Sequence, residues 1–133
     1  MEVTEDFFKG DNYAALSGIK LLEVSRGHAR AMLEINERHH NMFGMVHGGA
    51  IFTLADFAFG VASNSHGTVS VAINSCISFF RTATNGVLYA EAREISFHPK
   101  IASYIVEITN EQKELIASFQ GMVYRKKDPV KPV

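Results

Sequence analysis

The stretch HHNMFGMVHGGAIFTLADFAFG, residues 39–60, holds three of the chain's six histidines, four of its ten glycines and one carboxylate, Asp56. Its second half places alanine, leucine and phenylalanine at helical spacing, which predicts one long helix over residues 47–64. Apolar residues lie almost all the way round this helix, as is typical of a helix buried on several sides. An aspartate in such a run is unusual and calls for a reason.

Segments with strand character lie on both sides of the long helix. Residues 4–16 predict a short amphipathic helix, and residues 19–35 predict a hairpin with its turn at residues 25–27. Four further strands are predicted at residues 68–80, 86–98, 103–110 and 114–125. Because the late connections are too short for parallel crossovers, the sheet should be antiparallel. The predicted fold is α+β, with an antiparallel sheet of five to six strands wrapped around one long central helix.

Length and composition indicate a single globular domain. The chain has 133 residues, of which 47% are apolar and 20% charged, close to the average for globular proteins. We expect one domain over residues 1–125 and a flexible tail over 126–133, where two prolines and clustered charges follow the last strand.

The charge balance and the termini exclude several function classes. A formal net charge of −1 provides no basic field for nucleic acid. The amino terminus lacks the pattern of a signal peptide, and the longest apolar run is shorter than the roughly 20 residues of a membrane span. We therefore expect a cytoplasmic protein with no membrane or nucleic-acid partner. Cys76 is the sole cysteine, so it forms no internal disulfide, and we expect it to be a small buried residue.

Five residues of the opening stretch form a pattern: Asn41, His47, Gly48, Gly49 and Asp56. At these spacings they resemble the signature of hotdog-fold acyl-CoA thioesterases of the phenylacetate-degradation (PaaI-like) type. The segment ISFFRTA, residues 77–83, is similar to a strand end of that family, with Thr82 where proline is usual. The resemblance covers nearly the whole chain. It implies hydrolysis of an acyl-CoA by a homodimer or a dimer of dimers, with no cofactor beyond the coenzyme A of the substrate.

Thioester hydrolysis needs aimed donors for the carbonyl oxygen and one ionised carboxylate. Gly48 and Gly49 lie at the start of the long helix, where backbone N–H groups lack intrahelical partners and the helix dipole is positive. We assign the Gly48 N–H to the carbonyl oxygen and place Gly49 against the substrate. The alternative is that both glycines serve only a tight junction between loop and helix.

Asp56 is eight residues after Gly48, which places it about 12 Å along the helix and rotated by roughly 80°. It cannot reach a carbonyl held at the start of its own helix, so it should act on a substrate held by another subunit. Its role is nucleophile or general base, which the sequence does not decide. The alternative is a solvated helix edge, although Ala55, Phe57 and Ala58 beside it argue against a wet face.

The resemblance implies that Asn41 orients the water or the thioester and that His47 helps to shape the site. Asn41 could instead serve a turn, and His47 could cap the helix. The spacing of His39, His40 and His47 matches no zinc pattern, so no metal is expected.

Other substrate contacts remain open at this level. The acyl wall could draw on the apolar residues Met42, Phe43, Met45, Phe52 and Phe57, which would suit an aryl or medium-length acyl group. Candidates for the coenzyme A phosphates are Arg81, Lys100, Arg125 and Lys126. Two alternative functions remain: a hotdog-fold hydratase or dehydratase of hydroxyacyl thioesters, and a non-catalytic acyl-CoA-binding module.

Overall fold

The computed structural model describes residues 5–131 and contains three α-helices and six strands. The helices are α1 (Glu5–Phe8), α2 (Asn12–Leu16) and α3 (Gly48–Asn64), with a 3-10 turn at Glu37–His39 before α3. The strands are β1 (Ile19–Ser25), β2 (His28–Glu34), β3 (Thr68–Phe79), β4 (Val87–Phe97), β5 (Ile101–Thr109) and β6 (Leu115–Pro129). All pair antiparallel in one sheet of order β1-β2-β4-β5-β6-β3. The predicted α+β class is confirmed.

The long helix α3 forms the centre of the hydrophobic core. Leu54, Ala55 and Ala58 are fully buried, and the Phe59 ring packs on Tyr104 and Phe119 with centroids 5.8 and 5.4 Å away. These partners come from β5 and β6, so the sheet curves around the helix. This is the hotdog architecture that the resemblance implies.

The amino-terminal helix predicted over residues 4–16 is two short helices instead. Asp11 interrupts it, because its carboxylate accepts a hydrogen bond from the Ala14 N–H at 3.0 Å and so caps a new helix, α2. The first residue of the predicted helix, Thr4, lies outside the described residues.

The flexible tail predicted over residues 126–133 is wrong for residues 126–130. Strand β6 continues to Pro129, which pairs with Thr68 of β3. Val130 is buried, and its N–H donates to the Gly67 carbonyl at 2.9 Å. The sequence suggested a frayed end because prolines and charges are rare in central strands, but this segment pairs with a strand at the sheet's edge. Residues 132 and 133 lie outside the described part of the chain.

Strand β3 is the last strand of the sheet and leaves its outer edge unpaired within residues 5–131. Much of it is exposed, including Val71, Ile73 and Phe79, which are 45%, 53% and 50% exposed. Cys76 is exposed as well, so the prediction that it is buried is wrong. The error arose because an edge strand exposes residues that a central strand would bury. None of the helices within residues 5–131 has the length and apolarity needed to cross a membrane.

Candidate active site

The loop that leads into α3 is a tight excursion at residues 40–46. Backbone pairing between His40 and Val46 closes it, and the Asn41 N–H donates to the Met45 carbonyl at 2.6 Å. Gly44 has a φ of 76°, a conformation that favours glycine. The tip is exposed, with Met42 at 90% and Phe43 at 74%. Two of the predicted wall residues therefore project from a closed loop rather than from the core.

Asn41 organises this loop through its side-chain oxygen. Its Oδ1 accepts hydrogen bonds from the Phe43 N–H at 2.9 Å and the Met45 N–H at 3.2 Å. The turn role considered for this residue is therefore present in the structure. Its Nδ2 amide makes no hydrogen bond within residues 5–131, which leaves two donors for a ligand.

His47 caps the amino terminus of α3. Its Nδ1 accepts from the Gly49 N–H at 2.8 Å, which leaves the ring proton on Nε2. Its carbonyl accepts from the N–H groups of Ala50 and Ile51 at 2.9 and 3.3 Å. Among the first helical residues, the Gly48 N–H has no partner within the described chain. The capping arrangement thus uses the donors around Gly48 and leaves this one free at the positive end of the helix.

The Phe79 ring of β3 lies beside Gly48. A β-carbon built on Gly48 would lie 3.2 Å from Cζ of that ring, which is closer than ordinary contact. At Gly49 a β-carbon would lie 2.9 Å from Nδ1 of His47 and would disturb the cap. Both glycines therefore permit a close approach, and Gly49 also serves the junction between loop and helix.

Asp56 lies two turns along α3, and its side chain makes no hydrogen bond within residues 5–131. It is exposed on the single chain, contrary to the expectation drawn from its apolar neighbours. It faces a groove of about 670 Å³ whose walls also come from the amino-terminal helices and from the end of β6. Desolvation by these walls, and secondarily the negative charge of Asp11, raises the pKa of Asp56 above its ordinary value of 3.8.

The histidines of the opening stretch are engaged in structural hydrogen bonds. The ring of His39 accepts from the Asn36 N–H at 3.0 Å and bonds the Ser17 carbonyl at 2.7 Å. The ring of His40 bonds the Thr84 carbonyl at 2.8 Å. Across residues 5–131, no three His, Cys, Asp or Glu side chains are grouped so as to hold a metal ion.

The remaining predicted contacts divide into core and surface. Phe52 packs on Phe119 with ring centroids 5.5 Å apart, whereas Phe57 lines the groove beside Asp56. Arg81 is exposed and forms an ion pair with Glu114 at 3.3 Å. Arg125 donates to the His98 and Pro99 carbonyls and lies over the Phe97 ring, a structural role.

Sequence reasoning missed the groove itself. Its walls join Phe7 and Asp11 near the amino terminus to Val130 near the carboxyl terminus, around the exposed face of α3. Gly60 lies one helical turn after Asp56 on that face, and a β-carbon there would meet no atom within 4 Å. The sequence signal for this groove was Gly60 itself, a glycine in the middle of a predicted helix.

Comparison with known proteins identifies the family of the chain. Residues 43–117 match the model of the thioesterase superfamily. The chain is 37% identical to a putative esterase of Archaeoglobus fulgidus, over 98% of this chain and 85% of that protein. It is 30% identical to the acyl-coenzyme A thioesterase PaaI of Escherichia coli, over 89% and 85% of the two chains. The solved structure of Escherichia coli PaaI superposes with a TM-score of 0.90 at 29% identity, covering 95% of this chain and 92% of that one.

The six-stranded antiparallel sheet around the long helix α3 agrees with these similarities. The chain belongs to the thioesterase superfamily and is a thioester hydrolase of the PaaI-like hotdog type.

Proposed function

We propose that the protein hydrolyses an aryl- or medium-chain acyl-CoA to the free acid and coenzyme A, in a site shared by two subunits. The observation that carries this proposal is the separation of two unpaired groups on one helix. The Gly48 N–H and the Asp56 carboxylate lack partners in the described chain, yet they are about 12 Å apart along α3. One thioester cannot contact both, so each group would complete a site with its counterpart from a second subunit.

The exposed edge of the sheet supports such an assembly. Strand β3 exposes large apolar side chains beside an unpaired backbone edge, which monomeric proteins usually avoid. Phe79 of this strand also lies beside Gly48, so a second copy on this edge would come near the start of α3. A two-fold arrangement with the two α3 helices antiparallel would bring Asp56 of each subunit toward Gly48 of the other.

The reaction follows from these groups. The thioester carbonyl oxygen would accept a hydrogen bond from the Gly48 N–H, and Asn41 Nδ2 would orient the water or the thioester. If Asp56 is the general base, it takes a proton from water as the water oxygen bonds to the carbonyl carbon. Cleavage of the C–S bond then releases the coenzyme A thiolate. It is a good leaving group because the pKa of its thiol is about 8.5, by analogy with cysteine. If Asp56 is the nucleophile, its oxygen bonds to the carbonyl carbon as the C–S bond breaks and the coenzyme A thiolate leaves. Water then hydrolyses the resulting anhydride to the free acid and the Asp56 carboxylate.

An aryl or medium-length acyl group is supported by the apolar surroundings and by similarity. Phe57 lines the groove next to Asp56, and Met42 and Phe43 project from the loop that carries Asn41. The similar Escherichia coli protein PaaI comes from the phenylacetic acid degradation operon. Aromatic and thioether side chains provide an adaptable wall for such groups.

A thiol-release assay tests the proposal. The enzyme is incubated with phenylacetyl-, hydroxyphenylacetyl-, benzoyl- and straight-chain acyl-CoA, and free thiol is followed with a thiol-reactive dye. We expect the parent protein to release free thiol. Asp56→Asn should lower the rate on the order of a hundredfold or more, because this change removes the carboxylate and retains its shape. A hydratase would change the acyl group without releasing thiol, and a binding module would bind acyl-CoA without turnover. Either result would refute the proposal.

A further inference from the structure

We infer that the groove beside Asp56 is a pocket for an uncharged acyl group, with its depth set by the absent side chain of Gly60. This inference rests on the proposed function, since it assigns the acyl part of that substrate to one place. It adds the amino- and carboxyl-terminal segments, which carry none of the motif residues, to the determinants of specificity.

The size and lining of the groove suit an acyl group. Its volume is about 670 Å³, within the range typical of small-molecule sites. The apolar part of the wall is formed by Phe7, Phe8, Phe57, Val61, Val69 and Val130. The Phe7 and Phe8 rings meet edge to face with centroids 5.3 Å apart, so the amino-terminal wall is aromatic. Asp56 lies among these residues, which places apolar surface next to the carboxylate proposed to act on the thioester.

Gly60 is the feature that opens the groove. It lies in the middle of α3, where glycine costs about 1 kcal/mol relative to alanine. The backbone does not require glycine, since it is helical, and neither does packing, since no atom lies within 4 Å of a built β-carbon. Gly121 differs, because a β-carbon there would lie 2.6 Å from the Phe59 ring. The open space over Gly60 is one turn from Asp56, on the same helix face.

The charges around the groove select the part of the substrate that enters it. Within residues 5–131, the lining carries the three carboxylates of Asp11, Asp56 and Asp128 and one ammonium group, that of Lys131. Asp11 is held in place by its capping bond to the Ala14 N–H. A net negative groove disfavours the coenzyme A phosphates and any acyl group with a terminal carboxylate. It therefore favours the neutral acyl end of the substrate.

A second copy of the chain, which the proposed function brings toward Asp56 with its Gly48 end, is a weaker candidate for filling the groove itself. A dimer that paired this groove with the same groove of a second copy would bring the three carboxylates of each copy to one contact. The exposed apolar edge of β3 provides a self-association surface that lacks these carboxylates, and of its residues Val69 alone is shared with the groove.

The test measures binding of coenzyme A thioethers, which are not hydrolysed, by calorimetry. The parent should bind S-(2-phenylethyl)-CoA at least about tenfold more tightly than S-ethyl-CoA, because the larger thioether buries a phenyl ring. Gly60→Leu should reduce this preference to within about threefold, because its side chain enters the space of the ring. Gly60→Ala is the matched control and should keep most of the preference. Size-exclusion chromatography of each variant monitors the assembly.

Two further variants keep the test decisive if Gly60→Leu does not fold. Phe7→Ala should enlarge the groove at its amino-terminal wall and shift the binding preference toward longer S-alkyl thioethers. The parent should bind S-hexyl-CoA more tightly than S-(5-carboxypentyl)-CoA, and Asp11→Asn should narrow that difference in affinity several-fold while it retains the helix cap.

Three results would overturn the inference. They are an unchanged preference for the phenylethyl thioether in folded Gly60→Leu, dissociation of the assembly of that variant, and no effect of Phe7→Ala and Asp11→Asn on binding. Absence of thiol release by the parent would refute the proposed reaction and leave these binding ratios as an independent result.

Discussion

Subunit exchange between two inactive variants would show whether Asp56 and Asn41 act across an interface. Asp56→Asn removes the carboxylate. Asn41→Asp removes the free Nδ2 donors but keeps the oxygen that accepts from the N–H groups of Phe43 and Met45, so the loop should retain its shape. We expect each variant alone to have about 1% of parental activity or less, equivalent to a barrier increase of about 2.7 kcal/mol.

The expected recovery follows from the geometry of α3. Because Gly48 and Asp56 are about 12 Å apart along one helix, each site would take its donors from one chain and its carboxylate from the other. Random exchange of equal amounts makes about half of the dimers mixed, and each mixed dimer has one intact site and one with both defects. About a quarter of all sites should therefore be active, and thiol release should rise about 25-fold over that of either single variant alone.

A matched control places both substitutions in one chain and exchanges that double variant with the parent. If sites are shared, mixed dimers have no intact site and activity should fall from about half to about a quarter of the parental value. If each site lies within one chain, it should stay at half. Mass or affinity tags establish that mixed dimers form. A verified mixture of the two single variants that stays as inactive as its components would refute the shared site.

Four other substitutions test separate parts of the structure. Gly48→Ala should lower kcat/KM by about tenfold or more with little change in Tm, because its methyl group crowds Phe79 and the bound thioester; a change in Tm alone would restrict the glycine to a structural role. Asp11→Asn should move the acidic limb of the kcat/KM profile to lower pH, because Asp11 raises the pKa of Asp56 and activity is lost as Asp56 is protonated on acidification; an unmoved limb would contradict this coupling. Gly60→Ala should raise the free energy of unfolding by up to about 1 kcal/mol, whereas Gly121→Ala should lower it, because its β-carbon would lie 2.6 Å from the Phe59 ring. Denaturant unfolding measures both variants, and equal changes in the free energy of unfolding would contradict the difference in space around the two glycines.

The raised pKa of Asp56 also makes a prediction about stability. The folded protein holds this proton more tightly than the unfolded chain, so stability should decrease as pH rises from the ordinary value of 3.8 through the raised one. The cost persists at neutral pH, where the carboxylate is ionised in both states. Asp56→Asn should therefore raise Tm at neutral pH while it lowers turnover, and the gain should shrink in acid. A lower Tm at neutral pH would show that the carboxylate stabilises the fold.

The sheet and the long helix could be predicted because their signals are local. Alternation, turn residues and the apolar run of α3 lie within single segments, and their boundaries in the structure differ from the predicted ones by a few residues. The errors occurred where tertiary pairing decided the outcome. Residues 126–129 join β6 because β3 provides a partner, and Cys76 is exposed because β3 has none on its other edge within residues 5–131.

The candidate site divides in the same way. Asn41, His47, Gly48 and Asp56 lie within sixteen consecutive residues, so helix geometry alone could predict that the donor and the carboxylate of one chain lie about 12 Å apart. The groove could not be foreseen, because Phe7, Gly60 and Val130 meet only after the sheet has curved around α3. A family signature reports the groups that act on the thioester, whose chemistry is the same for every acyl group. Selection among acyl groups needs a wall of a particular depth and charge, and here residues far apart in the sequence form that wall. Determinants of specificity in this chain should therefore be sought at its two termini and at Gly60.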